Sequence, residues 1–176
     1  MRKLKNSELQ RLEVAEFKET PKIPLSVVLD NIRSLNNIGS VFRTSDAFVV
    51  EKIYLCGITA TPPNKDIHKT ALGATASVDW AYEKSTLSLV EKLKNEGVTV
   101  VSIEQAENAT PLQDFEVSSQ KRYAIVLGNE VKGVQQSVVS ASDHCIEIPQ
   151  FGTKHSLNIS VTAGVVLWSF LGKLKL

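Results

Sequence analysis

Cysteine is scarce in this chain. Only Cys56 and Cys145 occur in 176 residues, and neither lies in a CxxC spacing or beside a pair of histidines. That excludes a thiolate zinc cluster and a disulfide framework, and both side chains are expected as reduced core thiols. Long hydrophobic runs are missing too. The most apolar stretch, Ile159 to Leu171, is interrupted by Ser160, Thr162 and Ser169. It is shorter than the roughly 20 residues that a bilayer core demands, so it reads as a buried helix. The first twenty residues carry basic side chains without the apolar segment of a secretory signal, which leads to the expectation of a cytoplasmic protein.

Neither sign of charge is in excess, and the net charge is +1. A nucleic-acid partner would therefore have to be held by a local basic patch, by the doubled surface of a dimer, or by both. Neither G-x-G-x-x-G nor G-x-x-x-x-G-K-[ST] occurs, which removes the dinucleotide fingerprint and the P-loop. Internal repeats, low-complexity tracts and long linkers are also absent. What remains is an ordinary globular composition, 43% hydrophobic and 22% charged. It suits one domain over residues 1–176, with an amino-terminal amphipathic segment (1–20) and a core (21–176).

Runs rich in β-branched residues predict strands at Leu25–Leu29, Lys52–Leu55, Val98–Ile103, Tyr123–Leu127 and Cys145–Ile148, with a weaker one around Val78–Tyr82. Helical patterns lie between most of them. Asn36 or Asn37 opens a helix to about Ala47, Ser85 opens one through Leu93 that Gly97 ends, and Ser156 opens the last. A further amphipathic helix is expected over Ser7–Phe17, ahead of Pro21 and Pro24. The alternation implies an α/β protein, a mainly parallel sheet flanked by helices. Loops are expected at Thr59–Lys65 and Glu104–Phe115, and loops at the carboxyl ends of parallel strands are where such proteins hold ligands.

Three polar, glycine-bearing segments each follow a predicted strand: Asn36 to Thr44, Gly128 to Val134, and Ile148 through Ser160. In the first, Gly39 and Arg43 share a helical face, and the glycine permits a close approach by backbone or ligand. An arginine among Ile38, Val41, Phe42, Ala47 and Phe48 needs an anion. Asp46, three residues on, is one candidate and an external phosphate is the other. In the second, Glu130 either complements the dipole of the next helix or is held by backbone amides or an arginine. In the third, Ser156 is placed to cap the last helix and Asn158 falls in its first turn, where free N–H groups can meet a nucleotide-like ligand. Arg33, Lys132, Lys154 and His155 near these segments are either the missing basic patch or ordinary solvated residues.

Taken in order, the segments resemble the three motifs of the SpoU (TrmH-like) branch of the SPOUT RNA methyltransferases. Asn37-Ile38-Gly39-Ser40-Val41-Phe42-Arg43-Thr44 is similar to its N-x-G-x-x-x-R-T element. Leu127-Gly128-Asn129-Glu130-Val131-Lys132-Gly133 is similar to L-G-N-E-x-x-G. Ile148-Pro149 through Ser156-Leu157-Asn158-Ile159-Ser160 is similar to I-P-x-x-G-x-x-x-S-L-N-x-S. The resemblance covers about Leu25 to Leu171 and includes Lys69-Thr70-Ala71-Leu72-Gly73-Ala74. It implies a carboxyl-terminal trefoil knot that holds S-adenosyl-L-methionine, and a homodimer with its catalytic pocket at the subunit interface.

By the same resemblance, Ile103, Gly128, Ile148 and Leu157 line the cofactor site. Arg43 matches the catalytic arginine that acts with an RNA phosphate on the ribose 2′-hydroxyl, while Asn37, Glu130, Ser156 and Asn158 match the remaining polar positions. The implied activity is 2′-O-methylation of RNA, tRNA ahead of rRNA, with no metal required. The sequence departs from the common pattern at Val49, where many members carry glycine, and in its Val131-Lys132 filling. Two other classes compete: a catalytically idle RNA-binding relative of the same fold, and a nucleotide-binding oxidoreductase, which the missing glycine fingerprint disfavours.

Overall fold

The computed structural model describes residues 1–9 and 11–174. Seven strands form one sheet: β1 (Ile23–Asp30), β2 (Val50–Cys56), β3 (Trp80–Glu83), β4 (Val98–Ile103), β5 (Thr110–Pro111), β6 (Arg122–Leu127) and β7 (His144–Glu147). Their order is β3-β2-β1-β6-β4-β7-β5, and every neighbouring pair is parallel. All carboxyl ends therefore point to one edge of the sheet. Helices α1 (Val14–Glu19), α2 (Leu35–Ala47), α3 (Lys65–Ala71), α4 (Ala74–Ser77), α5 (Thr86–Asn95), α6 (Gln136–Ala141) and α7 (Ile159–Lys173) complete the order.

The central strands are apolar almost throughout because helices cover them on both faces. Phe42 of α2, Ile67 of α3 and Leu167 and Phe170 of α7 pack with Val27, Leu29 and Ile125 on one side. Leu89, Val90 and Leu93 of α5 and Val138 of α6 pack with Val28, Val100 and Val126 on the other. Phe170 stacks on Phe115, with ring centroids 5.9 Å apart, and meets Tyr123 edge-on at 5.6 Å. Both cysteines are free thiols; Cys56 is buried as expected, whereas Cys145 is half-buried and not a core side chain. Burial pushes the Cys56 thiol up to about 12, so it is inert. Among the described residues no helix is long and apolar enough to cross a membrane.

Several expected boundaries move, each for a local reason. α2 begins at Leu35 because Ser34, not Asn36 or Asn37, caps it: its hydroxyl accepts the Asn37 N–H at 3.3 Å. α7 is capped by Asn158, whose carbonyl oxygen accepts the Ser160 N–H at 2.9 Å, so Ser156 stays in the preceding loop. Ser85 caps α5 as expected. The helix expected over Ser7–Phe17 is a 3₁₀ turn at Asn6–Glu8 followed by α1; Gln10, inside that span, lies outside the described residues, as do residues 175–176 at the end of the expected core. Among the described residues of the segment only Phe17 is buried, while Leu9, Leu12 and Val14 are exposed, so these residues offer no buried apolar face to sustain one continuous helix. The Glu16 carboxylate accepts the Glu13 N–H at 2.9 Å and starts a new helix there instead. Inside the expected Glu104–Phe115 loop, Thr110–Pro111 pairs with β7 as an edge strand too short to register as a pattern.

Val49 sits in the left-handed region with φ 48°. That explains why glycine is common at this position in the resembling family, and it makes the valine locally strained. Gly39 has the opposite character. Its backbone is helical, but a Cβ there would collide with the Thr70 hydroxyl and the Ile67 carbonyl of α3. The close approach foreseen at this glycine is therefore α3, locked by the Thr70 hydroxyl donating to Asn36 O at 2.9 Å. α7, expected as a buried helix, is buried on one side only. Ala163, Val166, Leu167 and Phe170 do face the core, yet Val161, Val165 and Trp168 form an exposed stripe.

Gly39→Ala is expected to lower stability by about 1–3 kcal/mol through overpacking against α3. Gly172→Ala, in a helix position with open space around it, is expected to be neutral or to gain up to about 1 kcal/mol. Urea unfolding of the two variants checks the contrast.

Candidate functional site

A cavity of about 1030 Å³ opens at the carboxyl ends of β4, β6 and β7. The loops after those strands build it: 104–109, 128–134 and 148–158. The expected residues Ile103, Gly128, Glu130, Ile148, Ser156, Leu157 and Asn158 all line it. Parallel pairing brings them together, because it sets the ends of strands far apart in the chain side by side.

The 128–134 turn is fixed by its own backbone. Asn129 and Gly133 exchange N–H···O bonds of 3.0 and 2.9 Å, and the Asn129 side-chain oxygen accepts the N–H groups of Val131 and Lys132. Gly128 lies so close to the Gly133 and Val134 backbone that no Cβ fits. Gly133, at φ 67°, faces the Glu104 carboxylate just as tightly. Glu104 in turn accepts the N–H groups of Val134 and Gln105, each at 2.9 Å, and joins the turn to the end of β4. The Gln105 amide donates to His155 O at 2.8 Å and holds the third loop over the cavity. Sequence reasoning singled out neither Glu104 nor Gln105. The available signal was their position at the start of a loop expected to bear a ligand.

Glu130 connects this turn to the start of α2. Its carboxylate accepts the N–H of Arg33 at 3.1 Å, the N–H of Ser34 at 3.0 Å and the Asn37 amide at 3.4 Å. The Asn37 oxygen accepts the Asn158 amide at 3.1 Å, and the Asn158 oxygen accepts the Ser160 hydroxyl and N–H. Thus Glu130, Asn37 and Asn158 form one polar chain across all three segments. Glu130 complements a helix start, but that of α2 and not of the helix that follows it in sequence. Partial burial alone would raise its pKa; the donors, including its own N–H, outweigh burial and hold the carboxyl below its ordinary value.

Arg43 is not in the cavity. Six residues beyond Asn37 place it about 9 Å along α2 and on a different face. It is exposed, and among the described residues its guanidinium has no hydrogen-bond or ion-pair partner. The pairing with Asp46 does not form among the described residues; the Asp46 carboxylate accepts the Ser77 hydroxyl instead. Ser156 lines the cavity with its hydroxyl unpaired among the described residues. Arg33, Lys132, Lys154 and His155 are all exposed around the site.

The chemistry on offer is selective. Ile103, Leu127, Ile148 and Leu157 give apolar walls, and Glu104, Glu107, Glu130 and Glu147 outnumber Lys132 and His155 around them. Among the described residues no backbone N–H of 148–158 donates to a protein acceptor. The cavity therefore suits an aromatic ring joined to polar groups and a cationic centre.

Fold and site together define an α/β protein that receives a ligand at the carboxyl edge of a parallel sheet. The model of the SpoU rRNA Methylase family matches residues 24–168, and the chain belongs to that family of RNA methyltransferases. It is 28% identical over 144 residues to the 23S rRNA (guanosine-2′-O-)-methyltransferase RlmB of Neisseria meningitidis, covering 82% of this chain and 56% of that protein. The TrmH/SpoU tRNA modifying enzyme of A. aeolicus superposes with a TM-score of 0.80 at 24% identity, over 91% of this chain and 81% of that one. An AdoMet-bound rRNA methyltransferase from Sinorhizobium meliloti gives 0.78 at 24%, over 87% and 58%. These superpositions show that the fold is shared. The chain spans about three fifths of the length of the curated relatives it matches.

Because the folded carboxyl of Glu130 is depressed, its contribution to stability is present above the ordinary value of 4.5 and is lost as pH falls through the folded value. Glu130→Gln is accordingly expected to be less stable than wild type at pH 7, with the difference closing as pH is lowered from 4.5 toward 3. Urea midpoints across that range check it.

Proposed function

We propose that this chain, acting as one domain of residues 1–176, transfers a methyl group from S-adenosyl-L-methionine to a ribose 2′-hydroxyl of RNA in the cytoplasm, tRNA first and rRNA second. The observation that carries the reading is the convergence of three loops on one cavity, with Glu130, Asn37 and Asn158 in a single hydrogen-bonded chain at its rim. Membership of the SpoU family supports it. So do the names of the relatives, one for guanosine-2′-O-methylation of rRNA and one for tRNA modification.

The cavity residues fit this cofactor. Ile103, Ile148 and Leu157 would flank the adenine, the bare backbone at Gly128 and the uncommitted N–H groups of 148–158 would meet its polar atoms, and the surrounding carboxylates suit a sulfonium. Bound there, the cofactor supplies an activated methyl group, leaving the protein to align the 2′-oxygen and assist its deprotonation. Arg43 is assigned to orient an RNA phosphate that accepts the proton, since a guanidinium does not itself act as base near neutrality. Asn37 and Glu130 position the substrate side of the site. Asn158 shapes the loop, and Ser156 offers its free hydroxyl to the ribose.

Arg43 lies outside the cavity of its own chain, so the reading requires a second copy to complete the site. The stripe of Val161, Val165 and Trp168 on α7 suits that copy: Trp168 is 66% exposed and its ring lies 5.9 Å from that of Phe48, the C-cap of α2. A homodimer through α7 and α2 would cover it. The trefoil knot belongs to the same proposal. In its favour, α7 follows the 148–158 loop, packs on α2, and donates from Lys173 to Leu112 O at 2.6 Å and Phe115 O at 2.8 Å.

The test is tritium transfer from labelled S-adenosyl-L-methionine to bulk tRNA and rRNA, read as alkali-resistant dinucleotides. Wild type is expected to label one of them, and Arg43→Ala to lose about 100-fold or more with cofactor affinity unchanged. Cofactor binding and RNA binding without transfer would replace the reading with that of an idle scaffold, and no cofactor binding would overturn it.

A further inference from the structure

A second cleft, of about 520 Å³, opens on the other side of the 128–134 turn. It sits at the carboxyl ends of β1, β2 and β6, where Asp30 ends β1, Ile58 follows β2 and Asn129 follows β6. The sheet order reverses there, since β2 and β3 extend to one side of β1 while β6 and β4 extend to the other. Open parallel sheets receive ligands at such a reversal. The first cavity lies further along the edge and leaves this position free.

The floor of the cleft is rigid. Asn31 is held in the left-handed region at φ 58° by its own side chain, which donates to Asp30 Oδ1 at 2.8 Å and accepts the Ile58 N–H at 3.1 Å. Its carbonyl accepts the Asn129 amide at 2.7 Å. The lining contains one carboxylate, Asp30, and its acceptor capacity is filled. It is 0% exposed and takes the Thr86 hydroxyl at 2.6 Å, the Gln135 N–H at 3.1 Å and the Gln135 amide at 3.0 Å besides Asn31. Arg33 and Lys132 also line the cleft, and among the described residues neither side chain has an ion-pair or hydrogen-bond partner. At the mouth, Ile58 is 66% and Val131 78% exposed. Two free cations beside two bare aliphatic side chains match a ligand that carries a phosphate and a flat apolar face.

We propose that this cleft is a nucleotide subsite for the RNA strand. A phosphate next to the methylated residue lies between Arg33 and Lys132, and the adjoining base rests on Ile58 and Val131. The inference builds on the RNA methyltransferase reading and adds to it where the strand is gripped. The subsite is physically joined to the proposed reacting centre, because the Arg33 N–H donates to the Glu130 carboxylate. Both Arg33 and Glu130 therefore move with the same turn, and a strand seated in the cleft presents its neighbouring ribose to Glu130 and Asn37.

The test uses the full-length chain, bulk tRNA and rRNA, and the charge reversals Arg33→Glu with Lys132→Glu. Lys121→Glu, at the opposite edge of the sheet ahead of β6, serves as the control. Folding is verified by circular dichroism and an unchanged urea midpoint, because Lys132 borders the first cavity as well. The double variant is expected to bind RNA at least about tenfold more weakly. Its slope of log affinity against log salt should be shallower by about 0.7, the value for one lost single-strand phosphate contact. The KM for RNA should rise, and Ile58→Ala, outside the first cavity, should weaken RNA binding while leaving the salt slope and the cofactor KM unchanged. Wild-type binding and transfer with a double variant indistinguishable from Lys121→Glu would overturn the subsite alone. A wild-type chain that binds cofactor but no RNA would overturn the subsite together with the reading beneath it. Saturable, Arg33- and Lys132-dependent binding of 5′-mononucleotides that leaves RNA affinity untouched would assign the cleft to a free nucleotide and overturn the RNA claim.

Discussion

The Glu130 carboxylate receives hydrogen bonds from the N–H groups of Arg33 and Ser34 and from the Asn37 amide, residues more than 90 positions away in the chain. Through those bonds the turn after β6 is set against the first turn of α2. Asn37 then passes the constraint to Asn158 and the cap of α7. One anion so orders the beginnings of two helices and the rim of the cavity, in the place where the positive ends of those helices stabilise it. Protonating Glu130 loosens all of these at once, which makes the polar chain an assembly device as well as a candidate for substrate positioning.

The parallel sheet makes this arrangement possible. Hydrogen-bonded strands in register place the ends of β1, β6, β4 and β7 side by side at one edge, although the chain visits them at widely separated points. The turn at 128–134 is the partition. Gly128, Glu130 and Val134 face the large cavity alone, while Asn129, Val131, Lys132 and Gly133 border both it and the smaller cleft. Two glycines make it thin. The Gly128 backbone touches the closing strand of the turn, and Gly133 leaves room for the Glu104 carboxylate that anchors it. A methyl group at either position would have to displace backbone or an anchored anion.

Much of this was legible before the structure. Five strongly apolar runs became strands within a few residues of the expected ends, and of the residues named for the site seven line one cavity, whereas Asn37 and Arg43 do not. Caps were less legible, because Ser34, Asn36 and Asn37 compete at the start of α2 and local sequence cannot choose among them. The choice is made by Glu130, a tertiary partner that consumes the Ser34 N–H and the Asn37 amide. Asp46 beside Arg43 illustrates the same limit. Helical spacing permits the ion pair, yet the Asp46 carboxylate accepts the Ser77 hydroxyl, 31 residues away, and the Arg43 guanidinium has no partner among the described residues. For Glu104 and Gln105 only the loop position was legible, and for the Asp30 cluster nothing was, since their roles exist only once separate strand ends are neighbours.

The most direct test of the central claim, that Arg43 serves the cofactor cavity of a second copy, is intersubunit complementation of methyl transfer. Arg43→Ala leaves the cavity intact, and Leu157→Glu, at an exposed position of the cavity wall, leaves Arg43 intact. Each variant alone should be inactive. After mixing and subunit exchange, half the dimers carry both variants with one intact site each, so activity should return to about a quarter of wild type. An exchanged mixture that stays inactive, or an Arg43→Ala chain that methylates RNA at the wild-type rate, would contradict the account.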